Sequence, residues 1–158
     1  MKRIIALAAA LLLPMAATAQ DGDHVSESNG VRVMHAWTHA TDTDSARVYF
    51  EIENGSDQIV SLQALDASVG IDVALKAAPL DANSSEPVGL PELPIAPNNT
   101  ATLEPEGMFM QITGLDEPLS AGDRFEMQVE ILPFEPLTLE VAIEEKDAAG
   151  HSHADHTH

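Results

Sequence analysis

Two segments near the end of the chain alternate apolar and polar residues without a slip. Phe125, Met127, Val129 and Ile131 stand against Glu126, Gln128 and Glu130, and Leu137, Leu139, Val141 and Ile143 stand against Thr138, Glu140 and Ala142. A period of two places one set of side chains on one face, which predicts strands with a buried and a solvated side. The same period is found earlier, where Val48, Phe50 and Ile52 alternate with Arg47, Tyr49, Glu51 and Glu53. Val31, Val33, His35 and Trp37 are expected to share one face of another such segment. After the turn-rich Asn54-Gly55-Ser56-Asp57, Val60, Leu62 and Ala64 resume the pattern, and a hairpin is the simplest connection. Ile71, Val73 and Leu75 alternate again, and residues 101–103 and 108–114 read as two strands around Pro105-Glu106-Gly107. Residues 79–97 are proline-rich and predict a long loop with at most short extended pieces. With seven or eight short strands and no amphipathic helix of convincing length, an all-β antiparallel sandwich or barrel is expected.

The N-terminus follows a different logic. Lys2 and Arg3 precede an apolar run from Ile4 to Leu13, and Ala17-Thr18-Ala19 offers a small-residue cleavage site. Residues 1–19 are therefore expected to be a signal peptide, and the protein to be periplasmic or secreted. The apolar run is about half the ~20 residues that a membrane-crossing helix needs, so no membrane span is expected after cleavage. No cysteine follows it, so a lipid-modified N-terminus of the lipobox kind is not expected. Residues 20–30 read as a flexible leader, 31–145 as one β-sandwich domain and 146–158 as a flexible tail.

Charge and cysteine content narrow the function classes. The formal charge is −19, and loss of Lys2 and Arg3 with the expected signal peptide takes it to −21. So acidic a surface repels phosphate backbones, which excludes nucleic acid as a partner, while it concentrates cations. The chain has no cysteine, and hence neither a disulfide nor a thiolate ligand or nucleophile. No nucleophile elbow, His-Glu-x-x-His helix or phosphate-cradling glycine loop is present, so an enzyme is not the expected class.

The strongest chemical signal is the C-terminal run His151-Ser-His153-Ala-Asp155-His156-Thr-His158. Four imidazoles in eight residues suit Cu(II), Zn(II) and Ni(II) alike, because a flexible peptide can bring several ring nitrogens around one ion, and imidazoles alone do not choose between these metals. Bound imidazoles must be deprotonated, so affinity should fall as pH drops through about 6.5. Met108 and Met110 lie two apart on a strand, hence on one face; as thioethers they are candidate auxiliary Cu(I) contacts, and as adaptable side chains they are candidate core fillers. His35 is expected half-buried at the core edge, His39 at a strand end and His24 in the leader.

Several segments together resemble the PCu(A)C-type periplasmic copper chaperones. They are Val31-Arg-Val-Met-His-Ala-Trp37-Thr-His-Ala-Thr41, Ala46-Arg-Val-Tyr-Phe-Glu-Ile-Glu-Asn54, Asp72-Val-Ala-Leu-Lys76, Leu93-Pro-Ile-Ala-Pro97 and, most specific, Gly114-Leu-Asp-Glu-Pro-Leu-Ser-Ala-Gly-Asp123. His39 stands where that family usually has arginine. The resemblance implies a cupredoxin-like antiparallel β-sandwich of Greek-key type, a Cu(I) site of two His and two Met, and delivery of copper toward cytochrome c oxidase assembly. Carried over residue by residue, it sets the first histidine at or beside Lys76 and the first methionine near Glu86. The His-x-Met pair falls on Phe109 and Gln111 without a gap, or on Met108 and Met110 with one inserted residue. The usual quartet is thus incomplete on either alignment. The expected function is a periplasmic metal-binding protein that delivers or scavenges copper mainly through the tail, with a copper-receiving membrane or envelope protein as partner. The alternative is a β-sandwich interaction or assembly module that has lost metal binding.

Overall fold

A computed structural model describes residues 25–79 and 84–149. The tail histidines His151, His153, His156 and His158, His24 and the expected signal peptide lie outside the described residues. Eleven strands form: β1 (Val25–Ser28), β2 (Val31–His39), β3 (Ser45–Asn54), β4 (Val60–Ala67), β5 (Asp72–Ala77), β6 (Val88–Gly89), β7 (Leu93–Ile95), β8 (Asn99–Leu103), β9 (Met108–Thr113), β10 (Arg124–Leu132) and β11 (Leu137–Glu144). They form one sheet in the order β6-β5-β9-β8-β3-β2-β11-β10-β4-β7, with β1 added to β2. The sheet curls so that its halves face each other across one core. Val33, Val48, Ile52 and Met110 enter from one half; Leu62, Met127, Val129 and Leu139 enter from the other.

The chain is all-β among the described residues, as the alternation predicts. The surplus over seven or eight strands comes from pieces too short to show a period: β6, β7 and β1. Residues 25–28, read from their polarity as leader, pair antiparallel with β2 from Val25↔Met34 to Ser28↔Val31. Backbone pairing on an open edge does not need apolar side chains, so composition hid this strand.

Each central strand shares one edge between two partners. Against β3, β8 covers Phe50–Asn54 and β9 covers Ser45–Val48, so Pro105-Glu106-Gly107 interrupts a single strand path. Against β2, β1 covers residues 31–34 and β11 runs parallel to residues 37–39. Between those two stretches, His35 and Ala36 together face one residue of β3, a β-bulge in which His35 takes a φ of 55°. The bulge corrects the expectation that Val33, His35 and Trp37 share a face. Val31, Val33 and Ala36 enter the main core, whereas Trp37 joins a separate cluster with Tyr49 and Phe109.

The expected hairpin between β3 and β4 does not form, because the strands lie in opposite halves of the sheet and β4 pairs with β10 and β7. The reason is Asn54, which is fully buried. Its side-chain amide nitrogen donates to the carbonyls of Gln58 (2.8 Å) and Ile95 (2.9 Å), and its oxygen accepts from the Ser56 amide (3.1 Å) and hydroxyl (2.6 Å). One side chain thus holds the corner by which the chain changes halves and ties it to β7.

Residues 114–123, the most specific piece of the sequence, act as a latch. Gly114 has a φ of 68°, and a Cβ there would lie 2.8 Å from Ile71 Cδ1. Leu119 and Thr41 exchange both backbone hydrogen bonds (2.9 and 3.0 Å), and the Gly122 amide donates to the Ile143 carbonyl (2.8 Å). The loop therefore clamps the ends of β2 and β11 together.

Asn54→Ala would remove the side-chain donor to the buried Ile95 carbonyl and leave the Ser56 amide without its side-chain acceptor. It is expected to lower the unfolding free energy by about 2–4 kcal/mol, read as a fall in the midpoint of urea denaturation at unchanged slope.

Candidate functional site

Downstream of the bulge, the outward side chains of β2 are Trp37 and His39. Trp37↔Tyr49 is a cross-strand pair, and their rings lie 4.8 Å apart. The His39 ring meets the Trp37 ring edge-on at 4.9 Å and that of Tyr49 at 5.9 Å. Phe109 of β9 completes the patch, with the Arg47 guanidinium 4.4 Å from its ring centroid. A cation over an aromatic face is attracted by the ring quadrupole. Thr38, between Trp37 and His39, points inward and donates its hydroxyl proton to the Arg47 carbonyl (2.8 Å). That bond holds β2 in register beside the patch.

Burial pushes the Tyr49 phenol above its ordinary value, and the nearby Arg47 charge offsets part of this. A raised pKa means that the neutral ring contributes its full stability below about pH 10, and that this contribution fades as the pH rises through the higher folded value. Tyr49 is the sole tyrosine, so phenolate absorbance titrates it alone. A midpoint above the ordinary value is expected, with stability falling over the same range, and a midpoint at or below about 10 would mean a solvated ring.

The C-terminal segment comes to the same place. Beyond β11, whose Glu144 is the register partner of His39, residues 145–149 cross the end of β2. Lys146 Nζ lies 3.3 Å from Asp42 Oδ1, and its hydrogen bond and charge hold the Asp42 carboxyl below the usual range. His39 Nε2 lies 2.9 Å from the Ala148 carbonyl oxygen. A carbonyl can only accept, so Nε2 is the donor of this bond. The root of the histidine-rich tail is therefore tied to the folded body at Asp42 and His39.

Of the positions that the resemblance assigns to copper ligands, Lys76 and Phe109 meet across β5 and β9. Lys76 is the register partner of Phe109, and Ala74 that of Gln111, while Glu86 is exposed in the loop before β6. These residues present an ammonium, a phenyl ring, an amide and a carboxylate, without an imidazole or a thioether among them. Met110 is fully buried in the main core, opposite Leu75 and Val48, and Met108 is half-buried against the same core. Both methionines thus sit on the face of β9 opposite to Phe109. Among the described residues, no three His, Asp or Glu side chains gather in a way that would hold a metal ion. A shallow groove lined in part by Asp116, Glu117, Asp123 and Arg124 contains neither histidine nor methionine.

The aromatic patch and the bond from His39 to Ala148 escaped the sequence reading. The available signal was the Trp37-x-His39 spacing, which places both residues on one face, but which face depends on the bulge.

Comparison with known proteins agrees with this architecture. Residues 31–143 match the model of the LpqE-like lipoprotein family. No curated protein sequence matches the chain. Among solved structures, the copper-bound PCuAC domain from PmoF2 is 17% identical, with a TM-score of 0.67 over 77% of this chain and 98% of that domain. The apo form of the PmoF2 domain is 19% identical, with a TM-score of 0.68 over 82% and 100%. The Cu(I) form of DR1885 from Deinococcus radiodurans, determined in solution, is 20% identical, with a TM-score of 0.59 over 72% and 77%. At these identities the likeness establishes the fold: the cupredoxin-like β-sandwich of PCuAC domains.

Proposed function

The chain belongs to the LpqE-like family, and from that premise we propose that it is an extracytoplasmic copper-binding protein of the chaperone type, which carries or scavenges the ion without transforming it. The observation that carries this reading is the match of nearly the whole described body to PCuAC domains, of which one is copper-bound and another holds Cu(I). Copper is the cargo, and the question is which residues of this chain take it.

The core positions of the family's quartet do not fit it. The Lys76 ammonium has no lone pair and repels a cation, and Phe109 has no donor atom. The proposed ligands are instead His151, His153, His156 and His158. Imidazoles favour Cu(II) over zinc or nickel at equal geometry, following the general order of divalent affinities. The net negative charge of the chain raises the local cation concentration around the tail. Four separate imidazole ligands can give up their ion to a receiving envelope protein one at a time.

The test is a copper titration of the full chain and of a variant lacking residues 150–158, under oxidising and reducing conditions. Losing a group that merely orients a metal ligand costs about tenfold or more in affinity, so loss of four ligands is expected to weaken Cu(II) binding by at least that factor. Equal Cu(II) affinity in the two proteins would overturn the tail as the carrier.

A further inference from the structure

We propose that the groove between the 114–123 latch and the start of β10 is a docking site for a basic segment of a partner protein, which lays an apolar side chain on the floor and sets lysine or arginine side chains against the rim. This inference goes beyond the copper reading and does not depend on which residues take the ion.

The groove has a volume of about 420 Å³, at the small end of the ~300–1,000 Å³ that ligand clefts span. Its floor is apolar. Leu119, Phe125 and Ile143 are each at most 7% exposed, and Val69 is half-buried beside them. Its rim is acidic, with Asp116, Glu117 and Asp123 all exposed. The cation of the lining, Arg124, is drawn off by Glu140, whose Oε1 lies 2.6 Å from its Nη1. Among the described residues, no Lys or Arg pairs with Asp116, Glu117 or Asp123. Three carboxylates at the mouth of an apolar groove are thus left for cations that a partner brings, while the floor takes an apolar side chain between them.

The walls are fixed before any partner arrives. The Ser68 amide donates to the Glu126 carbonyl (2.9 Å), and the Ser68 hydroxyl accepts from the Glu126 amide (3.2 Å). The Leu115 amide donates to the Asp44 carbonyl (3.0 Å), and the Ile143 amide to the Asp123 carbonyl (2.9 Å). A groove held by backbone bonds loses little conformational freedom when it is filled, so more of the contact energy appears as affinity. The lining then chooses the occupant. A second copy of this chain brings the same net charge of −19 and is repelled, as is any anionic partner. A metal ion has no cage, since no three His, Asp or Glu side chains gather among the described residues. So shallow a groove encloses too little of a small molecule to hold it, because such ligands are mostly buried in their sites. It fits a short length of chain with an apolar anchor and cationic neighbours, which combines a desolvated contact with complementary charge around it.

The experiment is an amide NMR titration of the isotope-labelled full chain, without metal, with the capped peptide Lys-Leu-Lys-Leu-Lys. The peptide Lys-Gly-Lys-Gly-Lys serves as a probe of equal charge without an apolar side chain. Shifts are expected to be confined to the amides of residues 68–69 and 116–125. The glycine peptide is expected to bind at least tenfold more weakly, as burial of a leucine side chain implies. Neutralising the rim by Asp116→Asn, Glu117→Gln and Asp123→Asn together is expected to weaken the leucine peptide about tenfold, a few-fold for each exposed ion pair. Asp57→Asn, Glu106→Gln and Glu135→Gln remove the same charge from exposed carboxylates that do not line the groove. At ~0.15 M salt, where charges more than about 8 Å apart are screened, these three together are expected to change the affinity less than about twofold. Circular dichroism verifies that both variants are folded. Equal weakening by the two sets of substitutions, shifts scattered over the acidic surface, equal affinity for the two peptides, or no shift at millimolar peptide would each overturn the docking site. The same amides shifting with protein concentration alone would make the occupant a second copy and overturn the assignment of a basic partner.

Discussion

The β-bulge at His35 and Ala36 is the constraint on which the arrangement of this molecule turns. Without it, strict alternation along β2 would carry Trp37 into the main core behind Val31 and Val33. Two residues opposing one reverse the phase, so Ala36 enters the core and Trp37 and His39 come out on the opposite face. The same point divides the strand's free edge, with β1 before it and β11 after it. A bulge bends a strand and increases its twist, and here it lies where the sheet passes from one half to the other.

The outer aromatic cluster follows from that change of phase. Trp37, Tyr49 and Phe109 are all nearly inaccessible to solvent although they lie outside the main core. They form a second small core, capped by the Arg47 guanidinium. Burying such rings outside the sandwich stabilises the outer face of β2, β3 and β9 by the same removal of apolar area from water that drives the main core. It also stiffens the surroundings of His39, whose ring bonds to the Ala148 carbonyl.

Of the positions related to a copper quartet by resemblance, Lys76 and Phe109 are neighbours across β5 and β9, and an ammonium beside a phenyl ring does not suit copper. This separates fold from function in a concrete way. The sandwich is held by Asn54, the 114–123 latch and the interior alternation, and none of these depends on a metal. A site on a scaffold of this kind can be lost, or move to a terminus, without loss of the scaffold.

Strand identity was legible wherever alternation persisted: β3, β10 and β11 read directly from Val48 to Ile52, Phe125 to Ile131 and Leu137 to Ile143. The class of fold and the proline-rich connection were likewise legible, because each is a property of residues near one another in the chain. What the sequence could not decide was partnership. β1 has no apolar face to announce it, Asn54 turns an expected hairpin into a crossing between halves, and one positive φ at His35 assigns Trp37 and His39 to the outside. Tertiary structure alone brings Ala148 to His39, because a hydrogen bond across 109 residues is set by where β2 and β11 end and leaves no local pattern for a sequence to show.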